Sequence, residues 1–194
     1  MMRASLLACA LVVLGGCSSL AQPPRQALNI CAVFAEKDAW RKPAARSESR
    51  WGIPVPVLMA TMFHESSYRA DARPPRRYYL GFIPGGRLSS AYGYAQAKDE
   101  VWDEYVERQN RWFASRTDFA DAIDFIGWYH ESSTKVLGIR PDDVRNLYLT
   151  YNEGRGGFAR NSYLAKPRLM SYTDKVVQTE ARYRQQYAAC PLRP

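Results

Sequence analysis

Apolar residues recur along most of this chain at three- and four-residue intervals, and strict alternation is weak, so the pattern predicts a mainly α-helical protein. One helix is expected over Ala27 to Ala39. A second starts at Pro54–Pro56, where proline suits a first turn, and runs through VLMATMFHESS. A third, near Lys98 to Ser115, carries Val101, Trp102, Tyr105, Val106 and Trp112. In TDFADAIDFIGWYHESS, Thr117 or Asp118 can cap a helix whose Phe119, Ile123 and Ile126 share a face. RPDDVRNLYLTYNEG predicts another, closed near Gly154, and SYTDKVVQTEARYRQQY predicts the last, capped by Ser171 or Thr173. Between Arg73 and Ser90, RPPRRYYLGFIPGGRLSS breaks the helical pattern and predicts a long loop or a small hairpin. Loops of that length inside a compact domain are usually functional. Its arginines (Arg73, Arg76, Arg77) could meet carboxylates while Tyr78 and Tyr79 offer aromatic faces to a ligand, or it could simply be an exposed basic loop.

The tetrapeptide HESS occurs twice, at His64–Ser67 and at His130–Ser133. Leu58, Met62 and Glu65 stand at i, i+4 and i+7, so Glu65 continues an apolar stripe at the end of its helix. Burial disfavours a charged carboxylate, and the negative end of a helix repels it; both raise its pKa. A carboxyl that keeps its proton near neutral pH can act as a general acid. The competing reading is a solvated helix-end residue. Glu131, in the second copy, lies in a pattern soon ended by Gly138, and His130 and Ser133 read as packing residues, with a place in the lining of a cleft as the alternative. With two histidines in the chain, a His-rich metal site is not expected, and neither is a cofactor.

The amino terminus changes the picture of where this chemistry would occur. MMRASLLACALVVLGGC has a basic start at Arg3, an apolar run from Leu6 to Leu14 and small residues before Cys17. The run is too short to span a bilayer as a mature helix and reads as a secretory signal over residues 1–16. LGGC resembles a bacterial lipobox, in which the cysteine becomes the lipidated first residue, so residues 17–27 would form a lipid-anchored tether and 28–194 one domain. Ser18, with no Asp beside the cysteine, resembles outer-membrane sorting in Gram-negative lipoproteins. Of four cysteines, Cys9 would leave with the signal and Cys17 would carry lipid, which leaves Cys31 and Cys190 near the two ends of the domain. In an oxidising compartment they should form a disulfide; two buried thiols are the alternative. The net charge of +8 favours an anionic partner. Export argues against nucleic acid and leaves peptidoglycan carboxylates or lipid headgroups.

Three segments in order carry a resemblance. Glu65-Ser66 ends a helix, SSAYGYAQ follows at Ser89–Gln96, and LTYNEGRGGF comes later at Leu149–Phe158. Together they resemble the lytic transglycosylase (SLT-like) family of the lysozyme superfamily, whose pattern is a helix-end E-S, then G-L-M-Q, then A-Y-N-x-G. The resemblance implies a lysozyme-like α-helical domain, with the loop or hairpin beside an active-site cleft. It further implies that Glu65 is the catalytic acid and base. Ser66, Gly93, Tyr94, Gln96, Tyr151 and Asn152 would line the glycan cleft, the Tyr151 hydroxyl lying close to the carboxyl. Tyr94 and Ala95 replace the family's Leu-Met, Thr150 replaces its Ala, and Glu153 adds a charge that could raise the pKa of Glu65 or point to solvent. The implied protein is a monomer acting on peptidoglycan glycan strands in the Gram-negative envelope. A hydrolytic muramidase and a non-catalytic wall-binding lipoprotein are the competing functions.

Overall fold

The computed structural model describes residues 22–192. The expected leader, Cys17 and the first part of the tether lie outside the described residues. Seven α-helices are present among them: α1 (Ile30–Glu36), α2 (Arg41–Trp51), α3 (Val55–Ser66), α4 (Asp99–Gln109), α5 (Phe119–Leu137), α6 (Val144–Ala159) and α7 (Pro167–Tyr187). One antiparallel hairpin, β1 (Arg76–Tyr79) with β2 (Ile83–Arg87), interrupts them. The mainly helical architecture with one small hairpin agrees with the lysozyme-like domain expected from the sequence.

The caps set several boundaries. Asn29, Asp118 and Asp143 each accept a backbone N–H three residues on, and each such cap stabilises its helix by about 1 kcal/mol. Asp118, not Thr117, therefore starts α5. The first expected helix is shorter than its pattern, because Lys37 leaves helical geometry and a 3-10 turn, Asp38–Trp40, follows. Helix α4 stops at Asn110, in left-handed geometry, so Trp112 falls outside it and is exposed. The last helix begins earlier than either expected cap, at Pro167, which suits a first turn.

Helix α2 has no counterpart in the hydrophobic reading, since RKPAARSESRW offers only two alanines, a proline and Trp51 among charged and polar residues. Its fit depends on polar groups and on a glycine. Ser47 donates to the Ile123 carbonyl at 2.9 Å, and a Cβ on Gly127 would lie 2.5 Å from the Ser47 hydroxyl and 2.4 Å from the Trp51 ring. Only glycine lets α2 and α5 approach so closely. Beside this contact the buried carboxylate of Asp124 accepts from Trp51 (2.9 Å), Tyr105 (2.7 Å), Arg50 (3.2 Å) and Arg111 (3.0 Å). These donors come from α2, from α4 and from the segment after α4. A buried charge is tolerated when it is paired and fully hydrogen-bonded in this way.

The core runs along α3 and α5. Every residue from Val55 to Met62 is buried, as are Ile123, Phe125 and Ile126. Cys31 and Cys190 are joined by a disulfide with 5.9 Å between their Cα atoms, tying the start of α1 to the end of α7. Constraining a loop of that length stabilises a fold by roughly 2–5 kcal/mol.

Candidate active site

Two features fix the helix that carries Glu65. At its start, the Glu48 carboxylate of α2 accepts the Val55 N–H at 2.8 Å, supplying the cap that Pro54 cannot. At its end, Ser67 (φ 53°) and Tyr68 (φ 60°) both turn left-handed, a costly conformation for residues with side chains. Tyr68 is fully buried and holds the turn: its hydroxyl donates to the Met59 carbonyl at 3.1 Å and shares a 3.0 Å hydrogen bond with Tyr183 of α7. Glu65 thus sits in the last turn of α3, beside α6 and α7.

Its surroundings are aromatic. The residue keeps some exposure, yet its carboxyl is deep enough that desolvation raises its pKa to about 7. A hydrogen bond from the Tyr148 hydroxyl opposes that rise in part. Burial, followed by the charge of Glu65, raises the pKa values of Tyr148, Tyr151 and Tyr172. The Tyr172 hydroxyl donates to the His64 carbonyl at 2.8 Å, and its ring lies 6.1 Å from that of Tyr148. His64 is held neutral, its pKa pushed down to about 4 mainly by burial, and its ring bonds Thr179 at 2.8 Å. A carboxyl poised near neutrality inside a ring of phenols can give up a proton and take one back.

The second segment forms the adjoining wall. Gly93 (φ 77°) lies so close to the next strand of chain that a Cβ would be 2.0 Å from the Arg116 carbonyl oxygen. No other residue fits there. Gln96, itself at φ 47°, donates its side-chain amide to the carbonyls of Ala72 (2.8 Å) and Gly93 (2.9 Å). Beyond it, Gln96, Val101, Phe125, Tyr129, Tyr151 and Asn152 line a depression.

The positions expected to touch sugar therefore divide. Gln96, Tyr151 and Asn152 line one depression. Tyr94 is turned inward: it is 3% exposed and meets the Trp40 ring edge-on at 5.7 Å. A buried ring supports the wall and presents no face to a sugar. Ser66 is buried too, its hydroxyl donating to the Met62 carbonyl at 3.2 Å, and Gly93 acts through its backbone alone. The Tyr151 hydroxyl donates to the Ala95 carbonyl at 2.6 Å, so the phenol bonded to Glu65 is that of Tyr148. The sequence held a signal for this, because Tyr148 stands three residues before Tyr151 on the same helix and shares its face. Nothing local marked Tyr172.

Helix α6 does not end at Gly154. That residue takes φ 73° and ψ 156°, a conformation open to glycine, and the helix resumes beyond it. The kink sets Asn152 at the rim of the depression and Glu153 in its lining. Glu153 neither presses on Glu65 nor points to solvent. Its buried side chain accepts from Lys166 at 2.7 and 2.9 Å and from Ser162, contacts that hold its carboxyl below the usual range.

The sequence model of one protein family, described as Transglycosylase SLT domain, matches residues 5–190. No curated protein and no solved structure matches the chain.

Proposed function

Because the chain belongs to the transglycosylase SLT domain family, a peptidoglycan-acting group, we propose that it cleaves the β-1,4 bond between N-acetylmuramic acid and N-acetylglucosamine without water, with Glu65 as acid and then base. The observation that carries this reading is a single carboxyl with a pKa near 7, fixed in a helix-end turn and bonded to a phenol. Glu65 protonates the leaving glycosidic oxygen. Positive charge builds at C1 and is held by the sugar's own acetamido group. The Glu65 carboxylate then removes the proton of the muramyl 6-hydroxyl, and that oxygen closes on C1 to give a 1,6-anhydro ring. The proton count balances, and the carboxyl ends the cycle protonated.

Most glycosidases need a second carboxylate to activate water or to attack the sugar. The nearby acids are poor choices here. Glu153 is committed to Lys166 and Ser162, Glu131 pairs with Lys135, and Asp71 is exposed beyond the helix-end turn. That arrangement supports a one-carboxyl mechanism over hydrolysis.

Mass spectrometry of the products released from purified sacculi tests the proposal. Anhydromuramoyl ends are expected. New reducing ends would replace it with hydrolysis, and intact sacculi would leave a wall-binding protein. The lipobox-like LGGC supports anchoring of the chain through Cys17 to a membrane of the envelope, with the domain facing the wall. Incorporation of labelled fatty acid should then be lost in Cys17→Ala; retention of label in that variant would rule out Cys17 as the acceptor.

A further inference from the structure

A second pocket, lined by chain on either side of the Gln96–Lys98 segment, has a different character. Its lining includes Arg73, Arg87 and Arg116 together with Tyr92, Ser89 and Ser90. The three guanidiniums come from separate parts of the chain and are individually placed. Arg73 lies over the Tyr92 ring, 3.9 Å from its centroid. Arg87 donates to the Pro74 carbonyl at 2.7 Å. Arg116, largely buried, donates to the Ala97 carbonyl at 3.0 Å and pairs with Asp99 at 2.7 Å.

The charge does not balance. Between Asp71 and Asp99 the chain has no carboxylate but carries Arg73, Arg76, Arg77, Arg87 and Lys98. Asp99 is the one acid in the pocket lining, and Arg116 already pairs with it. Among the described residues Arg73 and Arg87 form no ion pair. Two guanidiniums held in place at one concavity, with no protein anion to meet them, fit a planar oxyanion that accepts paired N–H bonds.

The two pockets share one stretch of chain. Gln96, Ala97 and Lys98 line the depression that contains Tyr151, while Ser89 to Tyr92 and Asp99 line the basic pocket. A glycan strand lying in the first carries its peptide side chains on the muramic acid residues, and those peptides bear carboxylates. We propose that the Arg73–Arg87–Arg116 pocket binds a carboxylate of the peptide side chain of the glycan strand. The assignment rests on the glycan-cleaving reading above. It also moves the anion site away from Arg76 and Arg77, which lie on the exposed strand β1 and do not line the pocket.

The test compares binding of the full-length Glu65→Gln form to two ligands, glycan strands with peptides and the same strands stripped by an amidase. The ratio of the two dissociation constants is the readout. Adding Arg73→Gln and Arg87→Gln together is expected to lower the preference for peptide-bearing strands by about ten-fold, the size of one lost charge-assisted contact. Adding Arg76→Gln and Arg77→Gln instead should leave the ratio where it was. An unchanged ratio in the Arg73/Arg87 form overturns the proposal, as does an equal loss on both ligands. Loss of binding to vesicles of anionic phospholipid, with the glycan ratio intact, would reassign the pocket to a lipid headgroup and also overturn it. The ratio needs no turnover, so it remains readable if the product analysis rejects the transglycosylase reaction.

Discussion

The two HESS copies carry the same four side chains, one closing α3 and one within α5, and bury different members of the set. In α3, Ser66 is buried and Glu65 turns towards Tyr148 on α6. In α5, His130 and Ser133 are the fully buried pair, while Glu131 lies near the surface against Lys135. What differs is rotation about the helix axis and position along it. Helix α3 ends at Ser66, so its glutamate occupies a last turn beside other helices; α5 continues to Leu137, so Glu131 is mid-helix with a cation one turn on. The copies also meet. The His130 ring bonds the Thr61 hydroxyl at 3.0 Å, one turn before Glu65, and stands 5.4 Å from the Tyr151 ring. Burial, aided by the charge of Arg155, pushes its pKa down to about 3, so it stays a neutral brace. One copy holds the glutamate with the raised pKa, and the other helps support the helix that carries it.

The largest effect should come from Glu65→Gln. Removing a general acid costs about 10²–10⁴-fold in rate, so turnover of sacculi should fall by that much. If the variant degraded sacculi as fast as the parent, the contrast between the copies would collapse. The same substitution has a second signature, in stability. With a folded pKa near 7 against an ordinary value of 4.5, wild type is progressively destabilised as pH rises from 4.5 to 7, when the buried carboxyl must charge. Glutamine escapes that penalty. The stability of the variant relative to wild type should therefore increase by up to roughly 3 kcal/mol between pH 4.5 and pH 8. Denaturant unfolding at the two pH values measures this, and a constant difference would mean that Glu65 is solvated.

Tyr148→Phe should act less and in a particular direction. The phenol favours the charged carboxylate, so its removal raises the pKa of Glu65 above its present value near 7. The fall of kcat/KM at high pH, where the acid loses its proton, should move upward by as much as about one unit. Tyr151→Phe, which breaks a bond to the Ala95 carbonyl instead, should shift that limb less. The reverse order would return the role of direct partner to Tyr151.

Much of this site is written in local pattern, and the remainder in distant contacts. The spacing of Leu58, Met62 and Glu65 puts the glutamate on an apolar stripe but leaves a solvated helix end open, while the proline before α3 and the glycine after α5 mark their own boundaries. Cysteine usage anticipates the bond between Cys31 and Cys190. Tyr94 illustrates what pattern cannot carry. It aligns with a cleft position, but its direction is decided by Trp40 and Phe119, whose rings stack at 4.1 Å and leave an edge for it. Helix α2 is hidden for a related reason: Asp124 and Gly127, more than seventy residues away, make its polar sequence fit. Glu153 depends on Lys166 in the same way, because only the fold brings that ammonium to it.

The smallest effect belongs to the second glutamate, and it is the control on which the comparison depends. Glu131 pairs with Lys135 at i and i+4, and the lysine is 74% exposed, so solvent screens the pair. Such pairs contribute about 0.3–0.5 kcal/mol. Glu131→Gln should lower stability by no more than that, with the difference shrinking in high salt. Sacculus turnover should stay within about two-fold of wild type, because the substitution leaves the bond between His130 and Thr61 in place. A large loss of turnover in this variant, with folding intact, would move the acid from the end of α3 to the middle of α5.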